Sequence, residues 1–175
     1  MTTELKQDEK LNVVIDISQF DTFRLCEAKY NMRYRRNKHP AEKASALDRG
    51  TLVHLAAETY YELIKKRIPF DDAKIQALSS VRTAGVLQTD LDIDDVLRVI
   101  EVMDEYFDYW KVADQGFVIN EVEKPFIYQF HETDVWRLYL TGKIDLIISD
   151  NRYENLPVDH KSYERSYPTG RMSNQ

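Results

Sequence analysis

The spacing of apolar residues changes once along this chain, at Gly116, and that change limits the possible fold more than any other feature. Before it, apolar side chains recur every three or four residues, the period of a helix with one buried face. Phe20, Phe23, Cys26 and Tyr30 follow Ser18, a suitable N-cap, and predict a first helix to about Arg36. Asn37 to Ala46 reads as a polar linker around Pro40. A second helix is expected over about Leu47 to Lys66, ending before Pro69. Asp71 and Asp72 open a third, shorter helix. Asp92, Asp94 and Asp95 suit the positive end of a fourth, which Val96, Val99, Ile100, Met103, Tyr106 and Phe107 carry to about Ala113. After Gly116 the period falls to two. Strands are expected at 117–129, 135–149 and 153–161, with short polar turns at His131–Asp134 and Asp150–Arg152. Short connections imply an antiparallel meander. The expected class is α/β with an α+β-like order: a helical N-terminal half and a β-rich C-terminal half. Residues 1–12 read as a disordered tail and 13–175 as one domain, which a chain of 175 residues can support.

Composition narrows the setting. No apolar run approaches the roughly 18 residues that a membrane span needs. The polar, acidic stretch Met1 to Lys10 is no secretory signal. One cysteine, Cys26, excludes an internal disulfide and fits a reducing compartment, so the expected location is the cytoplasm. The net charge of −6 is unfavourable for binding nucleic acid, but it is unevenly spread. Arg24, Lys29, Arg33, Arg35 and Arg36 crowd one segment, with Tyr30 and Tyr34 between them. That segment is either a DNA-backbone contact or a solvated helix face.

The strands carry the chemistry. Alternation places Asp145 on one face with Tyr139, Thr141, Lys143 and Ile147. A carboxylate among aliphatics is costly unless something pairs with it; a salt bridge to a neighbour is the ordinary alternative. Asp159 and Lys161 lie two apart, hence on one strand face, and the turn at Asp150–Arg152 makes their strand a neighbour of the Asp145 strand. Two carboxylates and an ammonium converging there suit Mg²⁺ or Mn²⁺ and in-line attack of water on phosphorus. Glu123, in Val122-Glu123-Lys124-Pro125-Phe126, and His54, on a helix face with Gly50, Ala57 and Tyr61, complete the set. The ordinary readings are a strand-edge charge for Glu123 and a hydrogen-bonded core histidine for His54.

In this order the residues resemble the RecB-type branch of the PD-(D/E)xK nuclease superfamily, which includes RecB and AddAB nuclease domains, CRISPR-adaptation exonucleases and phage recombination exonucleases. Ser18 to Tyr30 is similar to the family's opening segment, with Glu27 where proline is usual. Gly50-Thr51-Leu52-Val53-His54, Glu123-Lys124-Pro125-Phe126, Gly142-Lys143-Ile144-Asp145 and Asp159-His160-Lys161-Ser162 resemble its "G-x-x-x-H", "E-x-P-F", "G-x-x-D" and "D-x-K-T" segments. The resemblance implies a restriction-endonuclease-like core with a mixed sheet of three or more strands. It implies one or two Mg²⁺ or Mn²⁺ ions held by His54, Asp145, Asp159 and the His160 carbonyl. Lys161 would be the catalytic lysine and Glu123 a supporting acid. A nitrogen ligand favours Mn²⁺ over Mg²⁺.

The same resemblance implies a deoxyribonuclease, an exonuclease more than an endonuclease, acting on DNA ends or single strands in recombination, repair or phage DNA processing. Recombination proteins are its implied partners and the bacterial or phage-infected cell its setting. The family continues into a helix bearing "Q-x-x-x-Y"; here the chain ends at Gln175, where that glutamine would begin, so a domain lacking this helix is expected. Cys26 matches one of four cluster-binding cysteines found in some relatives, but the other three have no counterpart. No iron–sulfur cluster is expected, and Cys26 is read as a small buried hydrophobe. The alternatives are a catalytically impaired DNA-binding or scaffold module with this fold, and a helical interaction protein whose acidic strands are merely solvated.

Overall fold

The computed structural model describes residues 10–38, 45–88 and 91–161. They fall into two compact units. One takes the chain up to Glu42 together with Lys124–Ile144; the other takes Lys43–Glu123 and the chain from Asp145 onward.

The second unit holds the main core. Helices α3 (Ser45–Lys65), α4 (Phe70–Gln88) and α5 (Ile93–Asp114) pack on one another. Each buries one helical stripe: Leu52, Ala56, Ala57, Tyr60 and Tyr61; Ala73, Ala77, Val81 and Ala84; Val96, Val99, Met103 and Phe107. The alanines of α4 let its neighbours approach closely. Gly85 marks the tightest point, since a Cβ there would lie 2.6 Å from Val96. Phe107 stacks on Tyr60 with ring centroids 4.1 Å apart. Asp92, which the sequence places at the start of this helix, caps α5 by accepting the Asp95 N–H at 2.8 Å. At 19 residues, α4 is nearly as long as the 21-residue α3, not the short helix expected.

In the first unit, strand β1 (Leu11–Asp16) precedes α1 (Ile17–Leu25) and α2 (Glu27–Tyr30), and α2 continues as a π-helical turn over Asn31–Arg35. The expected single helix is interrupted at Cys26, which is extended at φ −162°, ψ 103°. Its cap is Asp16 rather than Ser18: the Asp16 carboxylate accepts the Ser18 N–H at 2.7 Å. Cys26 is exposed, which corrects its reading as a buried hydrophobe. β1 also takes in Leu11 and Asn12, placed in the tail by the sequence reading; they pair with Trp136 and Arg137. Residues 1–9, the Pro40 linker and Gln175 lie outside the described residues.

Strands β2 (Val118–Glu132), β3 (Trp136–Ser149) and β4 (Leu156–Val158) complete a four-stranded sheet. β3 pairs with β1 in parallel over 136–141, with β4 antiparallel over 146–148, and with β2. The sheet is therefore mixed, and the antiparallel meander lacked β1. Gly142 sits at a close approach, since a Cβ there would lie 3.0 Å from the Phe126 ring. The third expected strand, 153–161, shrinks to three residues. Asn155 turns at φ 55° on one side of it. On the other side the His160 N–H leaves the ladder for the Asp145 carboxylate.

Candidate active site

Three chain segments of the second unit bring His54, Glu123 and Asp145 together. One ligand atom from each lies within 4.8 Å of the other two, a separation that suits a shared cation. His54 sits on α3 above the buried small residue Ala57, and its side chain remains 38% exposed, so it is not a core histidine. Its Nδ1 is 3.6 Å from Asp145 Oδ2, a charge contact too long for a hydrogen bond. Asp145 follows the sheet alternation: Leu146 and Ile148 turn into the core, while its carboxylate, 14% exposed, faces the cluster.

Glu123 reaches the cluster through a backbone irregularity. Its φ is 48°, the left-handed region that a non-glycine residue enters only at a cost of about 1–2 kcal/mol. Ile119 and Val122, three residues apart, both pack against the core, which strict strand alternation forbids. The twist at Glu123 re-aims its carboxylate, a common use of irregular strand positions beside functional sites.

The tripeptide Asp159-His160-Lys161 is placed differently from its expected strand geometry. His160, rather than Asp159, lies against Asp145: its N–H donates to Asp145 Oδ2 at 2.7 Å, and its Nδ1 is 3.8 Å from the same oxygen. Asp159 and Lys161 form an ion pair of 3.0 Å, with side chains 62% and 59% exposed. Asp159 is not part of the three-residue group. It nevertheless stands one step beyond the last β3–β4 pair, Leu146↔Val158, in register with Asp145. Arg24, Lys29, Arg33, Arg35 and Arg36 are all exposed on the helical segment of the other unit.

A model of the PD-(D/E)XK nuclease superfamily matches residues 16–175. The chain belongs to this superfamily. Membership implies metal-dependent phosphodiester hydrolysis with DNA as substrate, and the His54–Glu123–Asp145 group has the oxygen and nitrogen donors that a divalent cation takes. No curated protein matches the chain.

Behind the cluster, this PD-(D/E)XK chain carries a polar network that its sequence patterns did not reveal. The His160 ring stacks on Tyr61 at 5.6 Å and meets Tyr106 edge-on at 6.2 Å. Burial holds the imidazole pKa below its ordinary value, partly opposed by Asp145. The Tyr61 and Tyr106 hydroxyls lie 3.4 Å apart. Tyr61 also lies near Asp114, the buried last residue of α5, whose Oδ2 has no hydrogen-bond partner. Burial pushes the Asp114 carboxyl up to about 6, with Tyr61 acting in the opposite sense. A periodic pattern reads Asp114 as a helix-end surface charge; only tertiary packing buries it.

Asp114 has a consequence for stability. Between about pH 4 and 6 the folded chain holds a proton that the unfolded chain has released, so stability falls as pH rises through this window. Asp114→Asn keeps a side-chain carbonyl near Tyr61 without the charge. It is expected to be more stable than wild type at pH 7.5 by on the order of 1–2 kcal/mol, after discounting residual hydration. The two chains should converge below pH 4. Urea denaturation at pH 3.5 and 7.5 checks this, and an Asn variant weaker than wild type at the higher pH refutes it.

Proposed function

We propose that the chain is a RecB-type member of its superfamily, a Mg²⁺- or Mn²⁺-dependent exonuclease acting on DNA ends or single strands. The observation that carries this reading is the convergence of His54, Glu123 and Asp145. In the reading, His54, Asp145, Asp159 and the His160 carbonyl hold one or two cations, and Glu123 supports them. Asp159 stands in register with Asp145, one step beyond the last β3–β4 pair, which supports its carboxylate as a further ligand. When bound, the cation supplies Lewis-acid assistance to attack of water on phosphorus. Lys161 would hold the attacking water and offset phosphate charge. The exposed Arg24, Lys29, Arg33, Arg35 and Arg36 contact the DNA backbone without reading bases. The setting proposed is cytoplasmic, in recombination, repair or phage DNA processing, alongside recombination proteins. No helix among the described residues is long and apolar enough to cross a membrane.

One observation favours a second reading. Asp159 is paired with Lys161 and outside the three-residue group, as in a module that keeps the fold and binds DNA without cutting it. Degradation of linear DNA separates the two. The nuclease reading expects cleavage that is faster with Mn²⁺ than with Mg²⁺, and is lost in Asp159→Ala and in Lys161→Ala while both variants retain wild-type circular dichroism. Equal or better rates with Mg²⁺ count against His54 as a ligand. No cleavage by wild type, together with no cation-induced rise in melting temperature, establishes the scaffold reading.

A further inference from the structure

Next to Asp159, His160 and Lys161 lies a cleft of about 610 Å³, within the size range of small-ligand sites. Its other wall is formed mainly by Val102, Tyr106 and Trp110 of α5. Two observations are unusual for a plain surface groove. The first is the aromatic run. Tyr106 lies between Trp110, at 6.3 Å and tilted by 49°, and the edge-on His160 ring. Trp110 is 39% exposed, a large indole surface left open to solvent. The second is His160 itself. Its side chain is only 9% exposed, and its Nε2 is buried with no hydrogen-bond partner. A buried polar nitrogen without a partner is costly, and an aromatic cleft wall offers it none.

The geometry points to a seat for an unstacked nucleobase of single-stranded DNA, stacked against Trp110 and Tyr106 with its polar edge toward the end of the cleft where Asp159, His160 and Lys161 lie. Every base has a π-face and an edge carrying donors and acceptors, so this pairing of surfaces serves any sequence. The cleft shares His160 and Lys161 with the candidate active site, so a base seated there places its own phosphate beside that site. This assignment rests on the nuclease reading and deepens it. Duplex DNA keeps its bases stacked and cannot fill the seat without being unpaired.

The test uses the full chain, a fluorescein-labelled oligothymidylate twelve residues long, and a blunt duplex of equal length, both in EDTA so that nothing is cut. Trp110→Ala should weaken binding of the oligothymidylate about tenfold, or about 1.4 kcal/mol, and change duplex binding less than twofold. Trp110→Phe should restore most of the loss. Independently, in a Trp136→Phe chain, which leaves Trp110 as the sole tryptophan, the unlabelled oligothymidylate should quench its fluorescence; this readout survives even if Trp110→Ala fails to fold. Wild-type-like binding by Trp110→Ala with no quenching overturns the proposal and leaves the face to a protein partner or a second copy. Cleavage of the same oligothymidylate with Mn²⁺ is scored separately. Cleavage without a Trp110 effect sinks only the base seat. A Trp110 effect without cleavage supports the base seat and removes the nuclease reading.

Discussion

Asp145→Asn lowers cation-dependent cleavage of linear DNA by about 10³-fold or more, the scale of losing a group that steadies developing charge. The size follows from position. Asp145 touches both halves of the site: its Oδ2 faces His54 at 3.6 Å and accepts the His160 N–H at 2.7 Å. Removing its charge takes one donor from the His54–Glu123–Asp145 group and leaves no carboxylate opposite Asp159. Asparagine is the informative replacement, because its carbonyl still accepts the His160 N–H and the β4 end stays in place. Alanine would remove that acceptor as well and cost about 1 kcal/mol of stability through the unpaired N–H. The measurement is single-turnover cleavage over a Mn²⁺ series, with EDTA as the zero. A rate within tenfold of wild type at saturating Mn²⁺ would remove Asp145 from the site.

The second large effect concerns folding. Phe107→Ala is expected to destabilise the chain by about 3–5 kcal/mol, a large share of the roughly 5–15 kcal/mol that holds a domain folded. Phe107 is 1% exposed and lies on the inner stripe of α5. Its ring stacks on Tyr60 at 4.1 Å and meets Tyr106 edge-on at 5.7 Å. Truncation therefore opens a cavity between α3 and α5 and frees Tyr106, the residue next to His160. Urea denaturation should show a lower midpoint with an unchanged slope. A loss under 1 kcal/mol would mean that the site collapses around the cavity. Because Tyr106 leans on Phe107, catalysis or single-strand binding should also weaken at temperatures where the variant remains folded.

Much of the helical frame was legible because helices record their environment locally. Val96, Val99, Met103 and Phe107 recur at helical spacing and are all buried on α5. Asp92, which the sequence places at the start of this helix, caps it. Alternation likewise separated Asp145 from the buried Leu146 and Ile148. The motif segments of the sequence also mark His54, Glu123 and Asp145, which the fold brings together. Less legible were features that depend on partners far along the chain. β1 has no clear alternation, and its strand state comes from pairing with Trp136–Thr141. The break at Cys26 falls inside a good helical pattern. Asp159 and Lys161 were expected on a strand, but that strand ends at Val158 where Asp145 captures the His160 N–H.

By itself, then, the sequence determined the three long helices α3 to α5 and the two long strands after them, the faces these helices bury and the residue types available for chemistry, since periodicity and residue spacing are properties of the local chain. Only the tertiary structure decided which of those residues meet. It did so through long-range pairing of β1 with β3, through the strained φ of Glu123, and through the packing that buries Asp114 and sets Tyr61 and Tyr106 around His160. The physical reason is common to all three: the stabilising partner lies far away in the sequence, so no local pattern records it.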